Sequence, residues 1–386
     1  MRNGDHRLRL LSRAIRSLAS LACLAAPLLV AETAHAGDMD VTPERLVLQP
    51  SGLLNGATCQ SVAANPQSVL QKPYGASVTP SQFSCSPANV AFKNLMSELG
   101  FAIAPTAFHP ARTTGFGGFA LTIEASYTHI NSNATSSDGI QYWHLGTQGP
   151  TDPNSGLNSV VNNGPDSILQ VYTLKARKGL PLGFEITGAL GYLVNTTTWA
   201  IGADVRWALL EGFRTGFLGY VPDISVGGGA RTLTGNSKFD LTTVGLDLQV
   251  SKPFSVADSA VLTPYLGYQY LWIFGNSGIV DLTPNVDPVQ QCGLVGRDTS
   301  GNPICRNNLT TQGGGTIPND ADFNNNVTFN AVRVNRHRGI VGLNYRYSML
   351  YLAGQFLVDI VPPSSMDADL SSSRQWTLSL EAGAYF

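Results

Sequence analysis

The sequence predicts an all-β fold, a transmembrane antiparallel up-and-down β-barrel of ten strands, from three observations. Apolar and polar residues alternate in ten segments after residue 117, and this is the period of a strand with one apolar face. Only 13% of the 386 residues are charged and 40 are glycine, whereas soluble domains hold about 25% charged residues. After residue 36, no apolar stretch reaches the ~20 residues of a spanning helix, so a membrane protein with this sequence must be a closed barrel.

Residues 1–36 are predicted to be a cleaved signal peptide. A basic start precedes an apolar run from Leu18 to Ala31, and Ala34-His35-Ala36 has the small-x-small form of a cleavage site. The run is too short to span a membrane as a helix. Cys23 within it raises the alternative of a lipoprotein signal, but Ser20 stands where that signal has an aliphatic residue. We therefore expect export and cleavage without lipidation.

Four cysteines remain after residue 36, and an even number suits an oxidising compartment. Local pairing predicts the disulfides Cys59–Cys85 and Cys292–Cys305. Zinc binding is the alternative, but the cysteines form no Cys-x-x-Cys and have no histidine at ligand spacing beside them. We expect the first disulfide on the periplasmic side or in the lumen, and the second outside the cell.

Residues 37–117 do not alternate like a barrel wall and are predicted to be a mostly irregular N-terminal extension with one short helix. Ser86 is suited to cap that helix and Pro87 to begin it, with Ala88 to Leu99 as its body and Gly100 as its end. Two interpretations remain open for the extension. It either packs under the barrel on the periplasmic side or fills the lumen as a plug.

Residues 118–386 are predicted to form the barrel. The clearest strand runs from Trp199 to Leu209, where large apolar residues alternate with Gly202, Asp204 and Arg206. The fifth strand is placed over Leu218, Tyr220, Ile224 and Val226, with a bulge or weak pairing at Pro222. Connections are very long after the first and seventh strands, over residues 131–164 and 276–327, and short after the even-numbered strands. Such asymmetry is typical of a membrane barrel with an even number of strands.

The last strand, Gln375 to Phe386, alternates without a break and ends on Tyr385 and Phe386. In this it resembles the small bacterial outer-membrane β-barrel proteins, whose final strand ends in phenylalanine and is an assembly signal. The resemblance implies the outer membrane of a Gram-negative cell, long loops outside, and the assembly machinery as a partner. Deletion of Phe386 is then expected to reduce the amount of protein in the outer membrane far more than the stability of the folded barrel.

Two groups of barrel residues are predicted to have distinct environments. Aromatic girdles at the two membrane interfaces would comprise Trp199, Trp272, Phe274 and Trp376 on the outer side, and Phe184, Trp207, Tyr347 and Phe386 on the inner side. Charged residues on the opposite face of the strands belong in the lumen, because lipid exposure costs up to several kcal/mol each. These are Glu124, Glu185, Asp204, Arg206, Asp223, Asp247, Arg336, Arg338, Arg346, Asp359 and Glu381. We expect them to form ion-paired clusters that leave at most a narrow water path.

The lumen charges indicate either a rigid polar interior or a lining that selects small solutes. Two functions follow: a narrow channel or transporter for small solutes, or a surface module whose external loops bind a ligand while the barrel serves as anchor. An enzyme is not expected. The omptin proteases use an Asp-x-His near the outer rim, and His129 and His337 are preceded at that spacing by Tyr127 and Asn335. No metal or cofactor motif is present, the net charge of −2 argues against nucleic acid binding, and a monomer in the lipid bilayer is expected.

Overall fold

The computed structural model describes residues 86–143, 165–212, 220–257, 260–281 and 326–386, together with short pieces between residues 39 and 48 and between residues 294 and 317. The predicted signal peptide and Cys59, Cys85 and Cys292 lie outside the described residues, as does the side chain of Cys305. The two predicted disulfides therefore remain predictions.

Ten antiparallel strands form a closed barrel in which each strand pairs with its neighbours in the sequence. The first strand pairs with the last, with Leu121 opposite Ala384, and so the sheet closes on itself. The predicted ten-stranded all-β barrel is confirmed. Its strands are β1 (Phe119–His129), β2 (Ile168–Gly179), β3 (Phe184–Leu193), β4 (Trp199–Leu210), β5 (Asp223–Thr234), β6 (Phe239–Ser251), β7 (Ala260–Ser277), β8 (Val332–Tyr347), β9 (Leu350–Asp359) and β10 (Trp376–Tyr385).

Alternation along each strand separates an apolar outer face from a polar inner one. On the outer face, Leu246, Leu266 and Leu352 are each more than half exposed. Their inward neighbours are buried polar groups such as Asp247 and Gln355. An exposed apolar belt is stable in contact with lipid and not with water. A closed sheet can face lipid because its backbone groups are paired within the sheet.

The barrel has two different ends. The loop end carries the connections 130–167, 194–198, 235–238, 278–331 and 360–375, and the turn end carries the connections 180–183, 211–222, 252–259 and 348–349. β1 begins and β10 ends at the turn end, where the backbone groups of Phe119 and Phe386 exchange hydrogen bonds of 3.1 and 2.7 Å. In outer-membrane barrels this end faces the periplasm and the longer loops face outward.

The fifth strand begins later than predicted. Tyr220 lies outside β5 and is exposed, and Leu218 is outside the described residues. The strand starts at Asp223, directly after Pro222, which has no N–H to donate to the sheet. A short strand, Phe254–Ala257, also pairs with β7 in what the sequence suggests is a simple turn.

One helix, α1 (Asn89–Ile103), lies inside the barrel and is longer than predicted. Ser86 does not cap it: Ser86–Pro87 pairs instead with Val47–Leu48 as two short strands. No helix among the described residues is both long and apolar enough to cross a membrane. The helix ends where Pro105 follows, since a residue before proline favours extended backbone.

Gly100 lies within α1 instead of ending it, because of the close approach of the helix to β7. A Cβ atom at this position would lie 2.5 Å from Cγ2 of Ile273. The missing side chain lets the helix backbone contact the wall directly, and that contact outweighs the low helix propensity of glycine.

Gly100→Ala should therefore destabilise the barrel by about 1–3 kcal/mol, the usual cost of overpacking. Urea unfolding of the protein in vesicles would measure the difference. Ile273→Ala in the same chain should restore much of the stability by removing the clash. An unchanged midpoint for Gly100→Ala would show that α1 does not contact the wall as closely as described.

Candidate functional site

The interior of the barrel holds α1 and the chain that follows it, residues 104–114, which we call the lumen segment. It descends from the loop end to the turn end. Phe101 contacts Arg338, Thr106 contacts Glu124, and Thr114 at the turn end donates its backbone N–H to Glu185 at 2.8 Å. Residues 89–114 therefore occupy the centre of the pore along its length.

The wall binds the lumen segment through its backbone. Each carbonyl from Pro105 to Pro110 accepts a hydrogen bond from an arginine or glutamine of the wall. We call this set the carbonyl clamp. Its donors and distances are Arg338 (2.6 Å) and Gln269 (3.1 Å) to Pro105, Gln355 (2.6 Å) to Thr106, Gln249 (2.6 Å) to Ala107, Arg177 (2.8 Å) to Phe108, and Arg206 to His109 (3.3 Å) and Pro110 (2.6 Å).

The clamp holds the segment in a conformation that the free chain disfavours. Ala107 has a φ of 48°, in the left-handed region, which costs a residue with a side chain roughly 1–2 kcal/mol. Each net hydrogen bond contributes about 1 kcal/mol, and a charged donor about 1.5–3. Six bound carbonyls thus outweigh the strain, and the segment is a fixed part of the interior.

Ion pairs connect the remaining charges of the lumen. Lys175 pairs with Glu124, Arg177 with Glu381, and Arg336 with Asp359, and all six side chains are buried. Arg231 pairs with both oxygens of Asp204, at 2.8 and 2.6 Å. Above the clamp, the guanidinium groups of Arg336 and Arg338 each lie 5.0 Å from the centre of the Phe101 ring.

Most of the charged residues predicted for the lumen are buried in the interior. Asp204 is partly buried, and Arg346 is exposed at the turn end, 5.8 Å from the Tyr385 ring. Arg346 was predicted for the lumen, but it lies too near the end of β8 to be enclosed. The buried members are Glu124, Glu185, Arg206, Asp223, Asp247, Arg336, Arg338, Asp359 and Glu381.

The prediction missed three charged lumen residues, Lys175, Arg177 and Arg231. Lys175 and Arg177 lie on β2, whose alternation is irregular in its first half, so the sequence does not show which face points inward. The alternation is regular in the second half of β2, and counting back from Gly179 in steps of two places Arg177 and Lys175 on the inward face. Arg206 was expected to pair with an acid and does so with Asp247 at 3.8 Å, while its closer partners are carbonyls of the lumen segment.

Buried polar atoms without a hydrogen-bond partner lie on both sides of the lumen, and the larger group is on the inward side of three adjacent strands, which we call the β4–β6 face. Within the part of the chain that the structure describes, six buried side chains there have an atom without a hydrogen-bond partner: Arg206 Nε, Asp223 Oδ2, Ser225 Oγ, Thr243 Oγ1, Asp247 Oδ1 and Gln249 Oε1. Burying such groups dry costs about 1–3 kcal/mol each. Water that reached these atoms would satisfy them.

Two small cavities between the lumen segment and the wall provide room for that water. One of about 20 Å³ is lined by Thr106, Glu124 and Arg231, and one of about 10 Å³ by Thr187, Arg206 and Asp247, among others. A buried water needs roughly 10–15 Å³ of this kind of volume. Cavities of this size have room for about one or two waters each, far less than an open pore needs.

At the loop end, the first long connection folds over α1. The Glu98 carboxylate accepts hydrogen bonds from Tyr142 (3.0 Å), Trp143 (2.7 Å) and the backbone and side chain of Asn131 (3.0 and 2.9 Å). Burial and the neighbouring Glu98 raise the pKa of Tyr142, so its hydroxyl stays protonated as a donor. An isolated β-bridge joins Thr135 and Gln141 within this connection.

Aromatic residues of the outer face contact one another near both ends. Tyr192 and Trp199 have ring centres 5.0 Å apart near the loop end, and Phe184 and Trp207 have theirs 5.5 Å apart near the turn end. The other residues predicted for the girdles are on the outer surface too: Trp272, Phe274 and Trp376 towards the loop end, and Tyr347 and Phe386 towards the turn end.

The two histidines near strand ends face away from the lumen. His129 stacks on Trp376, with ring centres 5.7 Å apart, and His337 bonds to the Tyr268 hydroxyl at 2.6 Å. They lie on different strands and share no carboxylate. Among the described residues, no three histidine, cysteine or acidic side chains are close enough to hold a metal ion.

No protein-family model and no curated protein matches the chain. Among solved structures it is similar to Ail, the attachment invasion locus protein of Yersinia pestis, at 10% identity and a TM-score of 0.24, over 70% of this chain and 99% of that one. It is similar to the outer membrane protein OprG from Pseudomonas aeruginosa at 10% identity and a TM-score of 0.24, over 72% and 99%. The translocator domain of autotransporter NalP from Neisseria meningitidis matches at 9% identity and a TM-score of 0.28, over 71% and 89%.

The geometry itself determines where the barrel resides. A closed sheet with an apolar belt, aromatic residues towards both ends of that belt and charges confined to the interior is stable across a membrane and not in water. Ten strands place it among the small barrels, whose interiors are largely filled. The protein is therefore a small transmembrane β-barrel with the architecture of the outer-membrane barrels.

Proposed function

We propose that the protein is a narrow channel or transporter for small solutes whose pore is closed at rest by the lumen segment. The observation that carries this proposal is the set of unpartnered polar atoms on the β4–β6 face. A barrel that served only as an anchor would be most stable with every interior polar group paired. Here the larger group of buried polar atoms without a partner lies on one side, and water that entered along that side would bond to them.

The path would run between the lumen segment and the β4–β6 face. Gly227 and Gly229 face inward on β5, and a Cβ atom at either position would collide with the carboxylates of Asp247 or Asp204. Small wall residues therefore leave space that charged side chains partly occupy. Charges of both signs, Asp204 and Asp247 with Arg206 and Arg231, favour small polar solutes over a single class of ion.

A surface-binding module is the second candidate. The observation in its favour is the carbonyl clamp, which fixes the lumen segment so firmly that the closed state is the resting one. In this alternative the barrel is an anchor and a ligand binds at the loop end. Neither alternative has an enzymatic role, and the separate, outward positions of His129 and His337 support that inference.

Cysteine modification would separate the two functions. Thr187 lines the cavity beside the β4–β6 face, whereas Ser379 on the opposite side is buried and bonded to Ser126 at 2.8 Å. In planar bilayers, a small methanethiosulfonate reagent should reduce the conductance of Thr187→Cys and leave Ser379→Cys and the parent unchanged. If the parent shows no conductance under any condition, the channel proposal fails and the surface module stands.

A further inference from the structure

The first described residues of the N-terminal extension, 39–41, lie at the loop end of the barrel. The Met39 N–H donates to the Asn195 carbonyl at 3.0 Å, and the Thr197 N–H donates to Asp40 at 2.8 Å. Asn236 donates to the carbonyl of Val41 at 3.4 Å. Asn195 and Thr197 belong to the connection between β3 and β4, and Asn236 to the connection between β5 and β6.

A second stretch of the extension lies at the same end. Val47–Leu48 pairs with Ser86–Pro87, and the Ala88 N–H donates to the Leu46 carbonyl at 2.8 Å. The first turns of α1 then bind the late connections of the barrel. Lys93 forms ion pairs with Asp367 (2.6 Å) and Asp369 (2.8 Å), and Asn89 accepts from the Asn330 N–H at 2.7 Å.

From the loop end, the chain after α1 runs through the lumen towards the turn end without turning back. After α1, the carbonyl clamp holds residues 105–110 in order, and the Ala111 N–H then donates to Ser251 at 3.1 Å. Ser251 ends β6 at the turn end, and Thr113 donates to Glu211 in a turn-end connection, also at 3.1 Å. β1 begins six residues after Thr113. The segment thus crosses the full height of the barrel, from loop end to turn end.

We propose that the N-terminal extension is displayed on the outside of the cell, and that the chain crosses the membrane an eleventh time inside its own barrel. Both described stretches of the extension, 39–48 and 86–94, lie with the long loops, which face outward in outer-membrane barrels. Residues 49–85 join these two stretches, so we expect the predicted Cys59–Cys85 disulfide outside the cell. The sequence had suggested the periplasmic side or the lumen.

This topology defines what the external surface consists of. Besides the long connections, it includes the N-terminal extension, whose loop-end contacts are made by backbone groups and short polar side chains. The display also sets an order of events: the extension must pass outward through the barrel before the clamp closes on residues 105–110. The inference does not depend on whether the protein is a channel.

Epitope insertion would test the topology in intact cells. A tag between Asn65 and Pro66 should bind antibody as well as a tag between Thr310 and Thr311 in the long external loop. A tag between Lys252 and Pro253, in a turn-end connection, should bind antibody only after the outer membrane is permeabilised. If the Asn65 tag behaves like the Lys252 tag, or if all three need permeabilisation, the proposal is overturned.

The native cysteines provide a measurement without insertions. After reduction of intact cells, a large polyethylene-glycol maleimide that cannot cross the outer membrane should modify Cys59 and Cys85, as detected by a mass shift of their peptides. Cys292 and Cys305 are the internal reference for an external position. Modification of Cys292 and Cys305 alone would place the extension inside and contradict the proposal.

Discussion

Removal of residues 37–112 should turn the closed barrel into an open pore, with single-channel conductance rising on the order of tenfold. The deleted residues include α1 and the clamped carbonyls, which fill the centre of the barrel. A wall of ten strands is only slightly wider than the eight-stranded barrels that side chains alone can fill. Taking away a central helix therefore leaves a continuous water path lined by Arg177, Arg206 and Arg338.

Planar-bilayer recording of the purified variant beside the full chain would measure the change. Because the deletion exposes charges that the segment now covers, we expect some of the protein to be lost in assembly. A second variant avoids this: a protease site beside Phe116, which is exposed at the turn end, allows the segment to be cut after the barrel has folded. Unchanged conductance in both variants would mean that residues 89–114 do not close the pore.

Arg338→Ala should have the largest effect of any single substitution in the lumen. Its guanidinium group donates to the carbonyls of Phe101 (3.2 Å) and Pro105 (2.6 Å) and to the side chain of Gln269 (2.8 Å). The loss of charge-assisted bonds at about 1.5–3 kcal/mol each, with buried acceptors left behind, should lower the free energy of unfolding by about 3–5 kcal/mol. Urea unfolding in vesicles would measure it.

Arg231→Ala is the matched control for this prediction. Arg231 is also buried and also lies in the lumen, but its partners are Asp204 and the Ala230 carbonyl of the wall. Both variants should be less stable, yet only Arg338→Ala should loosen the lumen segment and increase conductance. Arg338→Lys should be intermediate, because an ammonium group keeps the charge without the planar fork. Equal conductance changes in the two alanine variants would contradict the clamp.

The barrel wall was predictable because its physics is local. Trp199, Ile201 and Val205 alternate with Gly202 and Asp204 on β4, and that pattern alone determines which face meets lipid. The alternation of long and short connections then indicated an even number of strands and distinguished the two ends of the barrel. Errors arose where one residue outweighed the pattern, as at Pro222 before β5 and at Gly100 inside α1.

The path of the lumen segment was not predictable from the sequence. Its partners bind it through backbone carbonyls, and a carbonyl leaves no trace in the identity of its residue. Three of the donors, Gln249, Gln269 and Gln355, are uncharged and resemble ordinary polar residues of a strand. The sequence alone therefore leaves both interpretations of residues 37–117 open.

The carbonyl clamp makes the interior sensitive to spacing and tolerant of side-chain identity. Since the wall contacts main-chain oxygens, exchanging Thr106 or Phe108 for another residue leaves every clamped oxygen in place. One residue inserted between Pro105 and Pro110 would instead offset each later oxygen from its donor. The spacing of the wall donors thus fixes how many residues the barrel encloses between the first and the last clamped carbonyl. An unrelated peptide of the same length and backbone path would present its carbonyl oxygens to the same donors.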